Sequence, residues 1–81
     1  MKGLFVSFVL SGSQADQLGI RSGDTIFMAN DMRVKNIDDF RLAEQRCMGT
    51  IHNVLFERKG KKIYLEWERV KSARLSSFRK N

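Results

Sequence analysis

The stretch GLFVSFVLSGSQADQLGIRSGDTI, residues 3–26, sets the order strand, short helix, strand. Leu4–Leu10 follows a glycine and is built from β-branched and aromatic residues, which predicts a strand. Leu4, Val6 and Phe8 share one face and Phe5, Ser7 and Val9 the other. Both faces are largely apolar, as expected of a strand covered on each side. Ser11-Gly12-Ser13 interrupts it, and the Ser13 hydroxyl suits the N-cap of a short helix, Gln14–Leu18. Gly19 offers the left-handed residue that ends a helix. Ile20 is a lone apolar anchor before the turn Arg21-Ser22-Gly23-Asp24, and Thr25–Ala29 is a second strand.

Downstream, Asn30-Asp31 predicts a tight turn into a short strand, Met32–Val34. Asn36 caps a helix over Ile37–Cys47, with Asp38 and Asp39 in the first turn, where carboxylates favour the helix dipole. Phe40, Ala43 and Cys47 make its apolar stripe, and Gly49 ends it. Strands over Asn53–Arg58 and Lys61–Val70 are joined by a turn at Lys59-Gly60. In the second of these, Ile63, Leu65 and Trp67 alternate with Tyr64, Glu66 and Glu68, a pattern with one buried face. The segment 71–81 has no clear period and reads as a basic C-terminal tail, expected to be disordered. The pattern predicts an α+β, mainly β domain over residues 3–70: a small, partly open antiparallel barrel capped by two helices.

Composition bounds the function. The 81 residues, 42% apolar and 30% charged, suffice for one core and argue against intrinsic disorder. One cysteine excludes an internal disulfide and a cysteine-rich zinc site. No apolar run approaches the ~20 residues of a membrane span, so no membrane insertion is expected. Lys2 before Leu4–Leu10, with small residues over Ser11–Ala15, imitates a secretory leader. The alternation, and the core's need for that strand, favour the strand reading. The formal charge is +6, and it is uneven. Acidic residues slightly outnumber basic ones up to Phe40, while the hairpin Arg58–Lys62 and the tail Lys71–Lys80 are basic. Such asymmetry suits nucleic acid or anionic lipid, although a solvated hairpin tip and tail account for it more simply.

Catalytic machinery is not apparent. Cys47 and His52 are separated by a helix stop and lack an orienting third group; the stripe assigns Cys47 to the core and His52 to a surface loop. Asp38 and Asp39 point about 100° apart on a helix and form no joint site. Glu66 and Glu68 share a strand face, but nearby lysines make it a solvated one. Gly12, Gly19 and Gly23 are spaced as turn and cap residues rather than as a nucleotide-binding fingerprint. No catalytic residue, metal ligand or cofactor is expected.

The ordered set Gly3-Leu4-Phe5-Val6-Ser7, Ser11-Gly12-Ser13-Gln14-Ala15-Asp16 and Leu18-Gly19-Ile20-Arg21-Ser22-Gly23-Asp24-Thr25-Ile26 resembles the PDZ domains. The likeness is to the bacterial type found in envelope proteases and secretion components. It extends through Val34, the helix with Phe40, Gly49 and Val54–Arg58, from about Gly3 to Val70. Gln14 replaces the family's usual proline and Asp31 its usual turn glycine. The resemblance implies a protein–protein interaction module that binds extended peptides or C-termini by β-strand addition beside the second helix. It also implies membership of a larger protein, a periplasmic or envelope location, and a groove lined by Leu4, Phe5, Val6, Ser7, Phe8, Ile37 and Arg41. Ile37 would favour an apolar ligand residue, and Arg41 an acidic one or the carboxylate.

The family's carboxylate-binding loop and its strand precede the point matched by Gly3. Three readings follow: the groove is incomplete; Leu4–Leu10 is itself the edge that receives a partner strand; or the tail, through Arg74-Leu75-Ser76-Ser77-Phe78, returns as the missing loop in a circular permutation. Self-association through an edge strand is a further possibility. The rival function is a small basic nucleic-acid-binding β-barrel, against which stands the lack of an aromatic stacking ladder, so no nucleic-acid partner is expected.

Overall fold

The computed structural model describes residues 3–67. The chain runs β1 (Leu4–Phe5), α1 (Gln14–Leu18), β2 (Thr25–Ala29), β3 (Met32–Arg33), α2 (Ile37–Arg46), β4 (Asn53–Arg58) and β5 (Lys61–Glu66). It is a small α+β domain, mostly β, built on an open five-stranded sheet whose pairings are all antiparallel. The order is β1-β2-β4-β5, with β3 also on β2. β1 meets β2 at Thr25 and Ile26, and β3 meets it at Met28 and Ala29. The sheet is open: among the described residues, β1 and β5 stand at opposite ends of the strand order. The expectations for residues 68–70 and for the tail lie outside the described residues.

Both helices are capped as their sequences predict. The Ser13 hydroxyl accepts from the Asp16 N–H at 3.2 Å, and the Asp16 carboxylate accepts from the Gly12 N–H at 2.8 Å. Asn36 and Asp39 repeat the reciprocal arrangement for α2, the Asp39 carboxylate receiving the Lys35 N–H. At the end of α1, Gly19 takes φ 87°. The N–H groups of Gly19 and Ile20 then reach back to the carbonyls of Asp16 and Ala15, satisfying two otherwise orphaned acceptors.

The core joins Val6, Ile26 and Val54 of the sheet side to Phe40 and Ala43 of α2, with Ile20 at 2% exposure. Ala15 and Leu18 of α1 pack half-buried against it. Phe27 is buried outside this cluster, with the Lys62 ammonium 5.5 Å from its ring centroid. Gly3 passes so close to β2 that a Cβ there would lie 2.6 Å from the Ile26 carbonyl oxygen and 2.8 Å from the Phe27 ring. A side chain is excluded by contact rather than by dihedral angle.

Four boundaries differ from the sequence reading, one of them in β3, which ends at Arg33 rather than Val34. The first strand stops at Phe5 instead of Leu10. The Val6 N–H donates to the Asp24 carbonyl at 2.8 Å and the Val6 carbonyl accepts from the Gly23 N–H at 2.6 Å, which exhausts the neighbouring chain. The backbone then bends at Ser7 and the alternation slips: Leu4, Val6 and Val9 pack on the core, while Phe5, Phe8 and Leu10 are exposed. α2 ends at Arg46, so Cys47 is a half-buried C-cap with φ −123° rather than a core helical residue. The positive φ values of Met48 and Gly49 reverse the chain just after it. β5 ends at Glu66, where the Trp67 N–H bonds the His52 carbonyl at 2.7 Å.

The β2–β3 turn has Asn30 at φ 52° and Asp31 at φ 65°, the twist of a two-residue hairpin. Asp31→Gly is expected to raise stability by about 0.5 kcal/mol, since glycine relieves left-handed strain and keeps the N–H that bonds the Asn53 side chain. Urea denaturation measures it. A loss would mean that the 3.4 Å contact between the Asp31 carboxylate and the Asn53 amide outweighs the strain.

Candidate functional site

The seven residues expected to line a groove divide into two groups. Leu4 is half-buried against the core and Val6 belongs to it, so these two hold β1 in place. Phe5 at 63% exposure, Phe8 at 74%, and Ser7 are open to solvent. On α2, Ile37 is 51% exposed and Arg41 is exposed one turn further on. Phe40 and Ala43, on the buried face of the same helix, share the core with Val6. One core thus holds the strand and the helix, but among the described residues no hydrogen bond or ion pair links the exposed β1 side chains to Ile37 or Arg41.

The backbone of β1 supplies the clearest chemical feature. Leu4 pairs with Ile26, and both polar groups of Val6 are spent on the 23–24 turn. Because strand groups alternate in direction, the N–H and C=O of Phe5, between these bonded positions, face away from β2. Ser7, Phe8 and Val9 make no backbone hydrogen bond among the described residues. The result is an edge with free donors and acceptors beside exposed apolar side chains. Residues 3–15 contain no charged side chain, in a chain that is 30% charged.

The sequence reading missed two polar clusters, one of which braces the turn beside this edge. Arg58, assigned to the solvated basic hairpin, instead clamps Asp24. Its Nε donates to Oδ1 at 2.9 Å and its Nη2 to Oδ2 at 2.7 Å, and Nη2 also reaches the Gly19 carbonyl. The Arg58 fork lowers the Asp24 carboxyl below the ordinary aspartate value, aided by the Arg21 N–H and opposed by burial. Asn30 forms the second cluster: its amide donates to the Ala43 and Thr50 carbonyls, and its oxygen accepts from the His52 N–H. The turn residue Asp24 was legible in the sequence. Its partner lies 34 residues away, and no local pattern marks it.

A shallow cleft of about 680 Å³ lies elsewhere, lined among others by Leu18, Cys47, Met48, His52 and Trp67. None of the seven expected residues lines it. No group of three or more His, Cys, Asp or Glu side chains suited to a metal occurs among the described residues. No helix among them is long and apolar enough to cross a membrane.

No protein-family model matches the chain. A 58-residue segment covering 69% of it is 36% identical to part of human regulator of G-protein signaling 12. The match spans 4% of that relative's length.

Proposed function

We propose that this domain is a PDZ-like interaction module that binds an extended peptide or protein C-terminus by adding it as a strand to the β1 edge. The observation that carries the reading is the edge itself, which no described strand covers, with the outward backbone groups of Phe5 beside exposed Phe5 and Phe8 side chains. Main-chain hydrogen bonds would supply affinity, and pockets for alternate side chains would supply selectivity. Ile37 offers the apolar contact and Arg41 the cation for an acidic residue or a terminal carboxylate. The similarity to a short segment of a much longer human protein supports a role as one module of a larger chain. A bacterial envelope protease or secretion protein as that larger chain rests on the sequence resemblance alone.

Titrating free-carboxylate peptides should shift a confined set of backbone amide signals, at Leu4–Phe8 and along α2. Ile37→Asp should remove that response without unfolding the domain, because the residue is half-exposed and Phe40 keeps the core contact. A response centred on Lys59, Lys61 and Lys62, lost at moderate salt, would instead mark phosphate binding and replace the peptide reading with the nucleic-acid one. The hairpin offers fewer free cations than its sequence suggests, since Arg58 is committed to Asp24.

A further inference from the structure

A bare apolar edge strand usually carries a charge, a proline or a covering element that blocks indiscriminate pairing. Residues 3–15 have neither charge nor proline, and no described strand covers the outer side of β1. We infer that, without peptide, the β1 edge pairs antiparallel with the β1 edge of a second copy of this chain, the two-fold axis passing at Phe5. The inference rests on the strand-addition reading of this edge and names a partner for it.

The segment Gly3–Ser7 is complementary to itself in this register. Phe5 faces the partner's Phe5, and each exchanges with the other the outward N–H and C=O that β2 leaves unused. Leu4 falls opposite the second Val6, and Gly3 opposite the second Ser7. On the face that carries Phe5, its neighbours two residues either way are Gly3 and Ser7, both small. The space over Gly3 is already filled by Phe27 and Thr25, so each Phe5 ring lies over the partner's Ser7, and the rings gain a cross-strand aromatic contact. The same register ends at Ser7, where the backbone already bends, so the pairing requires no straightening of Phe8–Leu10. A two-fold arrangement of this kind is closed and does not grow into fibres. The paired segment is short, so the dimer is weak and a peptide competing for the edge displaces it.

Sedimentation of the full chain from roughly 10 µM to 1 mM, a range suited to small interfaces, should show the mass rising toward that of two copies. Phe5→Lys sets two ammonium groups across the axis and should hold the protein monomeric throughout. In a Cys47→Ser background, Phe5→Cys should form a disulfide-linked dimer on oxidation, since paired Cα atoms at this position lie about 5.5 Å apart. Ser7→Cys, roughly 14 Å from its counterpart in this register, should not. A monomeric wild type at every concentration overturns the inference, as does a dimer that survives Phe5→Lys or one that cross-links through Ser7. Peptide binding is read separately, from the amide shifts at dilutions where the chain is monomeric. A protein that binds peptide without dimerising loses only this inference; one that dimerises without binding peptide loses only the peptide reading.

Discussion

Phe40→Ala should cost about 3–5 kcal/mol in urea denaturation, the usual range for deleting a buried phenylalanine. Phe40 is 6% exposed and is one of two buried residues of α2, so the helix rests on the sheet mainly through its ring. A domain of this size has total stability on the order of 5 kcal/mol, and the variant should be largely unfolded at room temperature. A loss below about 1 kcal/mol would show that the surrounding Val6, Ile26 and Val54 can close over the vacated space, against the rigid packing described. Ile37, one turn earlier on the exposed side of the helix, is the internal control: its substitution should change stability little.

Asp24→Ala should be almost as damaging, at about 3 kcal/mol. It breaks a buried pair whose aspartate side chain is 2% exposed and removes the acceptor of two Arg58 donors and the Arg21 N–H. The Arg58 side chain is 28% exposed and can recover some hydration, which puts the cost at the lower end for such pairs. The guanidinium also sits 5.1 Å from the Phe56 ring centroid, so its release loosens β4. The same pair makes stability depend on pH. The folded state lowers the Asp24 pKa, so its contribution is complete above the unfolded value of about 3.9 and is lost as pH falls through the folded one. Asp24→Asn cannot ionise; the stability gap between it and the wild type should be constant near neutral pH and narrow below about pH 4. A gap unchanged at pH 2 would mean that shape, not charge, accounts for the effect of Asp24.

The sequence was most informative where structure is local. Ser13, Gly19 and Asn36 act through neighbours within five residues, and the turn pairs Asn30-Asp31 and Lys59-Gly60 take the left-handed dihedral angles their residue types predict. Phe40 and Ile20 were readable as core from spacing and isolation. Length was harder to read. Leu4–Leu10 has the composition of a long strand, yet pairing requires a neighbour, and the turn before β2 withdraws it after Val6. Composition records what a residue tolerates; only the rest of the fold decides what is beside it. Cys47 failed similarly, since its apolar spacing continues past a helix that the Met48–Gly49 reversal has already stopped. Of the seven residues expected to line a groove, Phe5, Ser7, Phe8, Ile37 and Arg41 are exposed, whereas Leu4 and Val6 pack on the core because the chain bends after Val6. The bracing contacts of Arg58 and Asn30 were not legible, because they join residues 13 to 39 positions apart.

Asn30 narrows what evolution can write at its position. The residue must accept a left-handed backbone, and its side chain must give two hydrogens to carbonyls and take one from an amide. Glycine meets the first demand and none of the others. Aspartate can take a hydrogen but has none to give at neutral pH, and glutamine carries the right groups one methylene too far out. The permitted alphabet at position 30 therefore shrinks to a single letter for reasons of folding alone. An asparagine held fixed here across related chains would testify to the joint between the hairpin and the end of α2, and a survey that equated constancy with ligand contact would put the binding site in the wrong place.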